Sequence, residues 1–208
     1  TAKEILETIQ KADNLGIKGA WLTSGGVRLD PLTIFSAAAQ KTNKIKLGTS
    51  IVTHWSRHPL AISQQVQVIS ELAPGRFRLG LGPGGKTGME STYGLEFRSP
   101  LSNLREYVRI LKALFKDGEV NFDGTYYHAH ANIGGPVDVP VMVSALRRSS
   151  FQFCGEEADG AITWLCPGPY LKDIAIPEMH RASEKKNQPH PKLIAHAVVC
   201  VHEDISEV

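Results

Sequence analysis

Sulfur is scarce in this 208-residue sequence, which has three cysteines, Cys154, Cys166 and Cys200, and three methionines. The cysteine count is odd and no pair has C-x-x-C spacing, which argues against a disulfide framework and a zinc site and for a reducing, cytoplasmic setting. No apolar run approaches the roughly 20 residues a bilayer requires, so no membrane association is expected. Charge of one sign is also missing: 23 basic residues face 21 acidic ones, and the formal charge is +2. That balance leaves no electrostatic footprint for nucleic acid. The short run Lys185-Lys186 reads as a solvated helix face.

Catalytic signatures are sparse too. There is no G-x-S-x-G nucleophile elbow and no H-E-x-x-H zinc helix. His54 and His58 are four apart, but they precede Pro59, where the chain is expected to be extended, so no metal is expected. His58 is expected to cap the next helix and Arg57 to be structural. No side chain is nominated as a catalytic acid or base. Thr1 opens directly into a helical pattern, so a preceding segment is expected.

What the sequence does contain is rhythm. Ile5, Ile9, Ala12 and Leu15 form one helical stripe over 2–15, and Gly16 is placed to stop it. A strand follows over 18–23. Asp30-Pro31 reads as N-cap and first residue of a helix over 31–41. A strand at 45–52 leads to a helix opened by Pro59 and ended by Ala73-Pro74-Gly75. A strand covers 76–82. Ser99-Pro100 caps a helix in which Leu101, Leu104, Val108, Leu111 and Phe115 keep the 3.6 period. Residues 119–132 break the alternation and read as a hairpin turned at Asp123-Gly124. Strands at 139–146, 161–166 and 193–201 then alternate with helices over 147–157 and 170–185, and 203–208 begins a further helix.

Six short apolar strands alternating with helices define an α/β fold whose sheet is parallel and covered on both faces. An open doubly wound sheet and an eight-stranded TIM-type (β/α)8 barrel both fit. A barrel of about 250 residues would leave one strand to be supplied before Thr1 and one after Val208, so an incomplete barrel is expected. Residues 1–208 read as a single domain, with the hairpin region 119–137 inserted in it.

Either architecture binds ligands at the carboxyl ends of its strands. Those ends are Thr23-Ser24-Gly25-Gly26, Ser50-Ile51-Val52-Thr53, Gly82-Pro83-Gly84-Gly85-Lys86, Ser144-Ala145-Leu146, Thr163-Trp164 and Val201-His202. Most are small or carry hydroxyls. Turns favour such residues anyway, but the set together suits a large planar cofactor laid across the sheet. Gly80-x-Gly82-x-x-Gly85 matches the dinucleotide fingerprint by letter. That fingerprint needs a helix opening at its third glycine and an acid about 20 residues on. Here the next clear helical pattern starts near Pro100, and Pro83 lies inside the motif. Lys86 is placed to hold a phosphate, although an exposed loop lysine is the plainer reading. Cys166 ends a strand and is expected to be a buried structural residue.

Six segments together resemble the luciferase-like monooxygenase superfamily. They are Asp30-Pro-Leu-Thr, Lys44-Ile-Lys-Leu-Gly-Thr-Ser-Ile, Arg57-His-Pro, Ala73-Pro-Gly-Arg-Phe-Arg-Leu-Gly-Leu-Gly-Pro-Gly, Pro100-Leu-x-x-Leu-Arg-Glu-Tyr and Gly155-Glu-x-Ala-Asp-Gly-Ala. The resemblance covers nearly the whole chain in the family's order, and it implies the barrel. Gly80 to Lys86 and the stretch from Ala195 to Asp204 are similar to the deazaflavin (coenzyme F-420) branch, notably methylenetetrahydromethanopterin reductase. That branch implies a non-proline cis peptide at Ser50-Ile51 backing the ring. It implies cofactor contacts at Thr53, Gly84 and Gly85 and a lining from Ala145 and Leu146; Ser24, Gly82 and Lys86, taken from the strand ends, complete the expected cofactor-binding set.

The match also departs from its family. F-420-dependent sugar-phosphate and alcohol dehydrogenases place an Asp-His or similar acid where this chain has Ser24-Gly25, and a Glu where it has Lys86. Oxidation of an alcohol by a side-chain base is therefore poorly supported, and hydride transfer to an activated small-molecule acceptor fits better. The alternatives are an FMN-dependent monooxygenase served by a separate reductase, and a non-catalytic or truncated barrel. The resemblance further implies a homodimer through the helices at 31–41 and 59–72.

Overall fold

The computed structural model describes residues 1–24, 26–204 and Ser206. Gly25, expected at the end of the first strand, lies outside the described residues. So do Ile205, Glu207 and Val208 of the helix expected over 203–208.

The elements follow one another as α1 (Ala2–Asn14), β1 (Gly19–Leu22), α2 (Pro31–Lys41), β2 (Lys46–Thr49), β3 (Val52–Thr53), α3 (Pro59–Leu72), β4 (Phe77–Gly82), α4 (Lys86–Tyr93), α5 (Pro100–Asp117), β5 (Glu119–Asp123), β6 (His128–Asn132), β7 (Val141–Ser144), α6 (Arg148–Glu157), β8 (Gly160–Thr163), α7 (Gly168–Tyr170), a π turn (Leu171–Ala175), α8 (Ile176–Lys185) and β9 (Lys192–Ala195). The π turn sits just before Pro177, which has no N–H to return to the preceding turn and forces it to widen.

All pairings of the main sheet are parallel, and its order β1-β2-β4-β7-β8-β9 follows the chain, with β3 also paired to β4. A sheet in sequence order has no switch point, so the doubly wound alternative and its dinucleotide crevice are excluded by topology. The sheet is also curled. In a flat sheet β2 and β9, four spacings apart, would stand about 19 Å from each other. Yet Nε2 of His196, just past β9, lies 3.3 Å from Oγ of Ser50, just past β2. This is the wall of a barrel.

Strand alternation divides the residues between two sides. Leu47, Phe77, Leu79, Leu81, Val141, Val143 and Ala161 are buried in one core cluster with Phe35, Ile62, Val66, Ile69, Tyr107, Leu111 and Phe151 of the helices. Each such aliphatic or aromatic side chain contributes roughly 1.5–3 kcal/mol by leaving water. The other side is narrow and rich in glycine. A Cβ at Gly48 would fall on the Trp21 ring, one at Gly80 on the Thr49 carbonyl and Ile162, and one at Gly160 on Met142 and the Lys192 carbonyl.

Helix ends follow their local chemistry. The Asp30 carboxylate caps α2 by accepting the Thr33 N–H at 2.9 Å, and it also receives Arg57 at 2.5 Å. His58 caps α3 through Nδ1, which accepts the Leu60 N–H at 3.2 Å. Ser99 stands at the N-cap of α5, but its side chain makes no capping bond there, contrary to expectation, because its backbone is left-handed (φ 48°). Arg76 donates to the carbonyls of Ala39, Thr42 and Ile45, closing the exit of α2 with a cation where the helix dipole is negative.

The irregular stretch at 119–132 is the antiparallel hairpin β5–β6. Its turn is held by Glu106 of α5, whose carboxylate accepts the N–H groups of Thr125, Tyr126 and Tyr127 at 2.8, 2.8 and 3.1 Å. Three strand boundaries differ from expectation. The strand expected over 45–52 is interrupted at Ser50-Ile51. β8 stops at Thr163, which leaves Cys166 past its end, half-buried rather than ending a strand, with Leu165 in a left-handed turn between them (φ 48°). β9 stops at Ala195, so Val201-His202 is not a strand end. Val198, Val199 and Val201 prolong the apolar run without pairing, at 84%, 76% and 92% exposure.

Candidate functional site

The register places the site. Leu47 pairs with Phe77 and Gly48 with Arg78, whereas Val52 pairs with Leu81 and Thr53 with Gly82. One extra residue therefore stands on the β2–β3 side, which is a bulge. The cis peptide bond Ser50-Ile51 lies within it, at the position the resemblance implied. Thr49 covers the broken rung: its hydroxyl donates to the Gly80 carbonyl and accepts the Gly80 N–H, both at 2.8 Å. The bulge's own backbone is engaged as well. Ser50 N–H donates to the Leu22 carbonyl at 2.8 Å, and the Ile51 carbonyl accepts the Ser24 N–H at 3.1 Å.

Most of the expected residues meet at this end of the sheet. Ser24 joins the bulge through that backbone bond. A Cβ at Gly82 would meet the Ser144 hydroxyl and the Ile51 side chain, so β3, β4 and β7 converge on Gly82. Thr53 is buried and its methyl abuts Gly84, whose φ of +66° needs glycine. Ala145 is buried, and its N–H donates to the Ile162 carbonyl at 2.9 Å. Leu146 is 52% exposed, and its carbonyl accepts the Tyr170 hydroxyl at 3.1 Å. It stands at the rim.

The glycine loop differs from its sequence reading. Helix α4 opens directly after Gly85, so a helix does begin at the third glycine. The dinucleotide reading fails on sheet order, not on the missing helix. Lys86 is the first residue of α4 rather than a loop residue; it is exposed and pairs with Glu90 at 3.9 Å. Gly85 caps this helix with no side-chain bond, and nothing lies within 4 Å of where its Cβ would be. An uncapped helix start with open space before it presents backbone N–H groups to an anion.

Below the loop, His54 is fully buried. Its backbone N–H donates to the Gly82 carbonyl at 3.2 Å, and its Nδ1 lies 3.1 Å from the same oxygen, which makes Nδ1–H a donor as well. Burial pushes its pKa down to about 4, against the opposing pull of the Gly82 carbonyl and Asn103. A neutral, buried imidazole anchoring a backbone carbonyl is a structural histidine.

His196 is the residue that sequence reasoning missed. Its Nδ1 donates to the Thr163 carbonyl at 2.6 Å, its Nε2 meets Ser50, and its ring lies 5.1 Å from that of Trp164. The valine-rich run after it displaced the expected strand end by six residues. A reading that ended β9 at Ala195 would have found it.

A cleft of about 620 Å³ lies at the opposite end of the sheet, against Arg78, Lys112, Asp159 and Lys192. These residues sit at the amino ends of the strands or beside them, the end that supports stability rather than ligands in this topology.

A curled parallel sheet in sequence order, with a bulge and a glycine-lined helix start at its carboxyl end, defines a β/α-barrel protein with its candidate site at the barrel mouth. The description of the luciferase-like monooxygenases matches residues 1–208, and the chain belongs to that family. It is 36% identical over 176 residues to an F420-dependent glucose-6-phosphate dehydrogenase of Beutenbergia cavernae, a match covering 81% of this chain and 52% of that protein. The chain thus spans about half the length of this relative. Among solved structures, the coenzyme F420 dependent tetrahydromethanopterin reductase of Methanopyrus kandleri superposes with a TM-score of 0.83 at 22% identity, covering 94% of this chain and 62% of that one. The oxygenating constituent of 3,6-diketocamphane monooxygenase from Pseudomonas putida, in complex with FMN, superposes with a TM-score of 0.80 at 18% identity, covering 96% and 62%.

Proposed function

We propose that this chain belongs to an oxidoreductase that transfers hydride between the deazaflavin coenzyme F-420 and a small organic molecule. The observation that carries this reading is the 36% identity to an F420-dependent dehydrogenase along most of the chain. Of the two solved structures, one is F420-dependent and the other holds FMN on the same fold.

The mouth fits a phosphate-bearing planar group. The uncapped start of α4 at Gly85, with open space before it, suits a phosphate. Gly84, Gly85 and Lys86 would hold that end. Ser24, Ser50, Ile51, Thr53 and Gly82 would hold the ring, with Ala145 and Leu146 along its edge. A deazaflavin supplies a two-electron hydride carrier with little reactivity toward oxygen, and the protein's part is to bind, orient and exclude water. Ser24 offers no acid–base group at the end of β1, and His54 is buried, neutral and bonded through Nδ1 to the Gly82 carbonyl. These residues suit delivery of hydride to an already electrophilic acceptor better than deprotonation of an alcohol.

The second reading, an FMN-dependent monooxygenase fed by a reductase, has a counterpart on the same fold in the FMN-bound neighbour. Titration of the purified protein with F-420 and with FMN, followed by fluorescence, separates the two. F-420 binding with weak or no FMN binding is expected; tight FMN binding without F-420 binding overturns the first reading. Failure of both to bind would favour a barrel without cofactor. The three free cysteines suit a reducing cytoplasm. Pairing through α2 and α3 into a homodimer is checked by sedimentation.

A further inference from the structure

We infer that His196 is a positioning residue that sets which way the Ser50 hydroxyl faces a ligand: hydrogen-bond acceptor when His196 is neutral, donor when it is protonated. The inference takes its ligand from the F-420 reading above, but its structural half concerns this chain alone.

The argument begins with a carbonyl. The Thr163 oxygen can only accept, so Nδ1 of His196, 2.6 Å away, carries a proton in either charge state. In neutral imidazole the other nitrogen is then a bare acceptor. Ser50 Oγ, 3.3 Å from Nε2, donates its single proton there. Its lone pairs are left to accept from a ligand. When His196 is protonated, Nε2–H donates to Oγ and the serine proton is turned outward. Of the bulge's backbone, the Ser50 N–H donates to Leu22 and the Ile51 carbonyl accepts from Ser24. Among the described residues no ion pair involves His196. It meets the Thr163 carbonyl, the Trp164 ring and the Ser50 hydroxyl of the bulge, none of which is charged. The switch therefore rests on the one imidazole.

A flavin-like ring edge carries more acceptors, carbonyl oxygens and ring nitrogen, than donors. A donating Ser50 is the better partner for it. Affinity for the oxidised ring is expected to be about tenfold higher with His196 protonated than with it neutral, the worth of one hydrogen bond.

Two measurements test this. In the ligand-free protein, the imidazole nitrogen resonances of neutral His196 should show the Nδ1–H tautomer; an Nε2–H tautomer overturns the proposal whatever binds at the mouth. Oxidised F-420 is then titrated between pH 5.5 and 8.5 into wild type, Ser50→Ala and His196→Phe. The wild-type dissociation constant should follow the protonation state of His196 read from the same resonances, and both variants should lose that dependence. The same pH dependence in all three overturns the proposal. Ser50→Ala leaves His196 and its tether intact, so a flat profile there is not a folding defect. If F-420 fails to bind at any pH, the cofactor reading falls, and the tautomer measurement still decides the role of His196.

Discussion

The hydroxyl of Thr49 stands in for a missing rung of the sheet by bonding both the N–H and the carbonyl of Gly80 at 2.8 Å. It does so where the bulge carries β2 away from β4, and all three groups are buried. Replacing Thr49 by the isosteric valine strands two backbone groups without water. The cost is about 2–4 kcal/mol, one to two unmet buried polar groups, whereas Thr49→Ser should retain most of the stability. Urea unfolding of the three proteins checks the difference.

The glycines of the Gly80 to Gly85 stretch should separate by position. A methyl at Gly80 collides with the Thr49 carbonyl and Ile162. The Gly80→Ala protein is expected to lose about 1–3 kcal/mol through overpacking. Gly85 has an ordinary φ of −88° and open space at its Cβ. Gly85→Ala should leave the melting temperature nearly unchanged while weakening cofactor affinity, since it fills the space before α4. Equal melting losses in both variants would contradict this division.

Acid should destabilise the protein through His54. Its native pKa is near 4 and the unfolded value near 6.5, so between those values the unfolded chain binds the extra proton and stability rises with pH. The contribution is full above about pH 6.5 and is lost as pH falls toward 4, amounting to about 3 kcal/mol. Denaturation at pH 7.5, 5.5 and 4.5 should show this slope in wild type, and a His54→Asn variant should lose it.

Glu106 ties the hairpin to α5 through three backbone N–H groups. Glu106→Ala is expected to cost about 2 kcal/mol, because charge-assisted bonds are lost from a partly exposed turn. Amide exchange at Thr125, Tyr126 and Tyr127 should quicken in this variant while exchange in β4 and β7 stays slow. Unchanged exchange at the turn would show that the strand pairing alone holds it.

Local chemistry was legible from residues alone. Asp30 and His58 cap helices as their neighbours predicted, and the hairpin turns where Asp123-Gly124 stands. The alternation of strands and helices gave an α/β class with six strand positions. The family resemblance, not the periodicity, located the bulge at Ser50-Ile51. Reading failed where a local pattern had two outcomes. The run through Val198, Val199 and Val201 has strand composition, but a strand needs a partner, and these residues are exposed. The helix at Lys86–Tyr93 has a weak apolar stripe, with Met89 its one buried side chain, so periodicity could not announce it.

The sequence by itself thus determined most of the strand and helix positions, the caps at Asp30 and His58, and that small residues would gather at the strand ends. Those are consequences of neighbours within a few positions. Only the tertiary structure decided that the sheet runs in chain order and curls, because strand order is a choice among pairings that all bury the same apolar faces. Curling is what brings His196 to Ser50 across 146 positions of chain. No periodicity encodes that distance, and it is where the chemistry of the mouth is set.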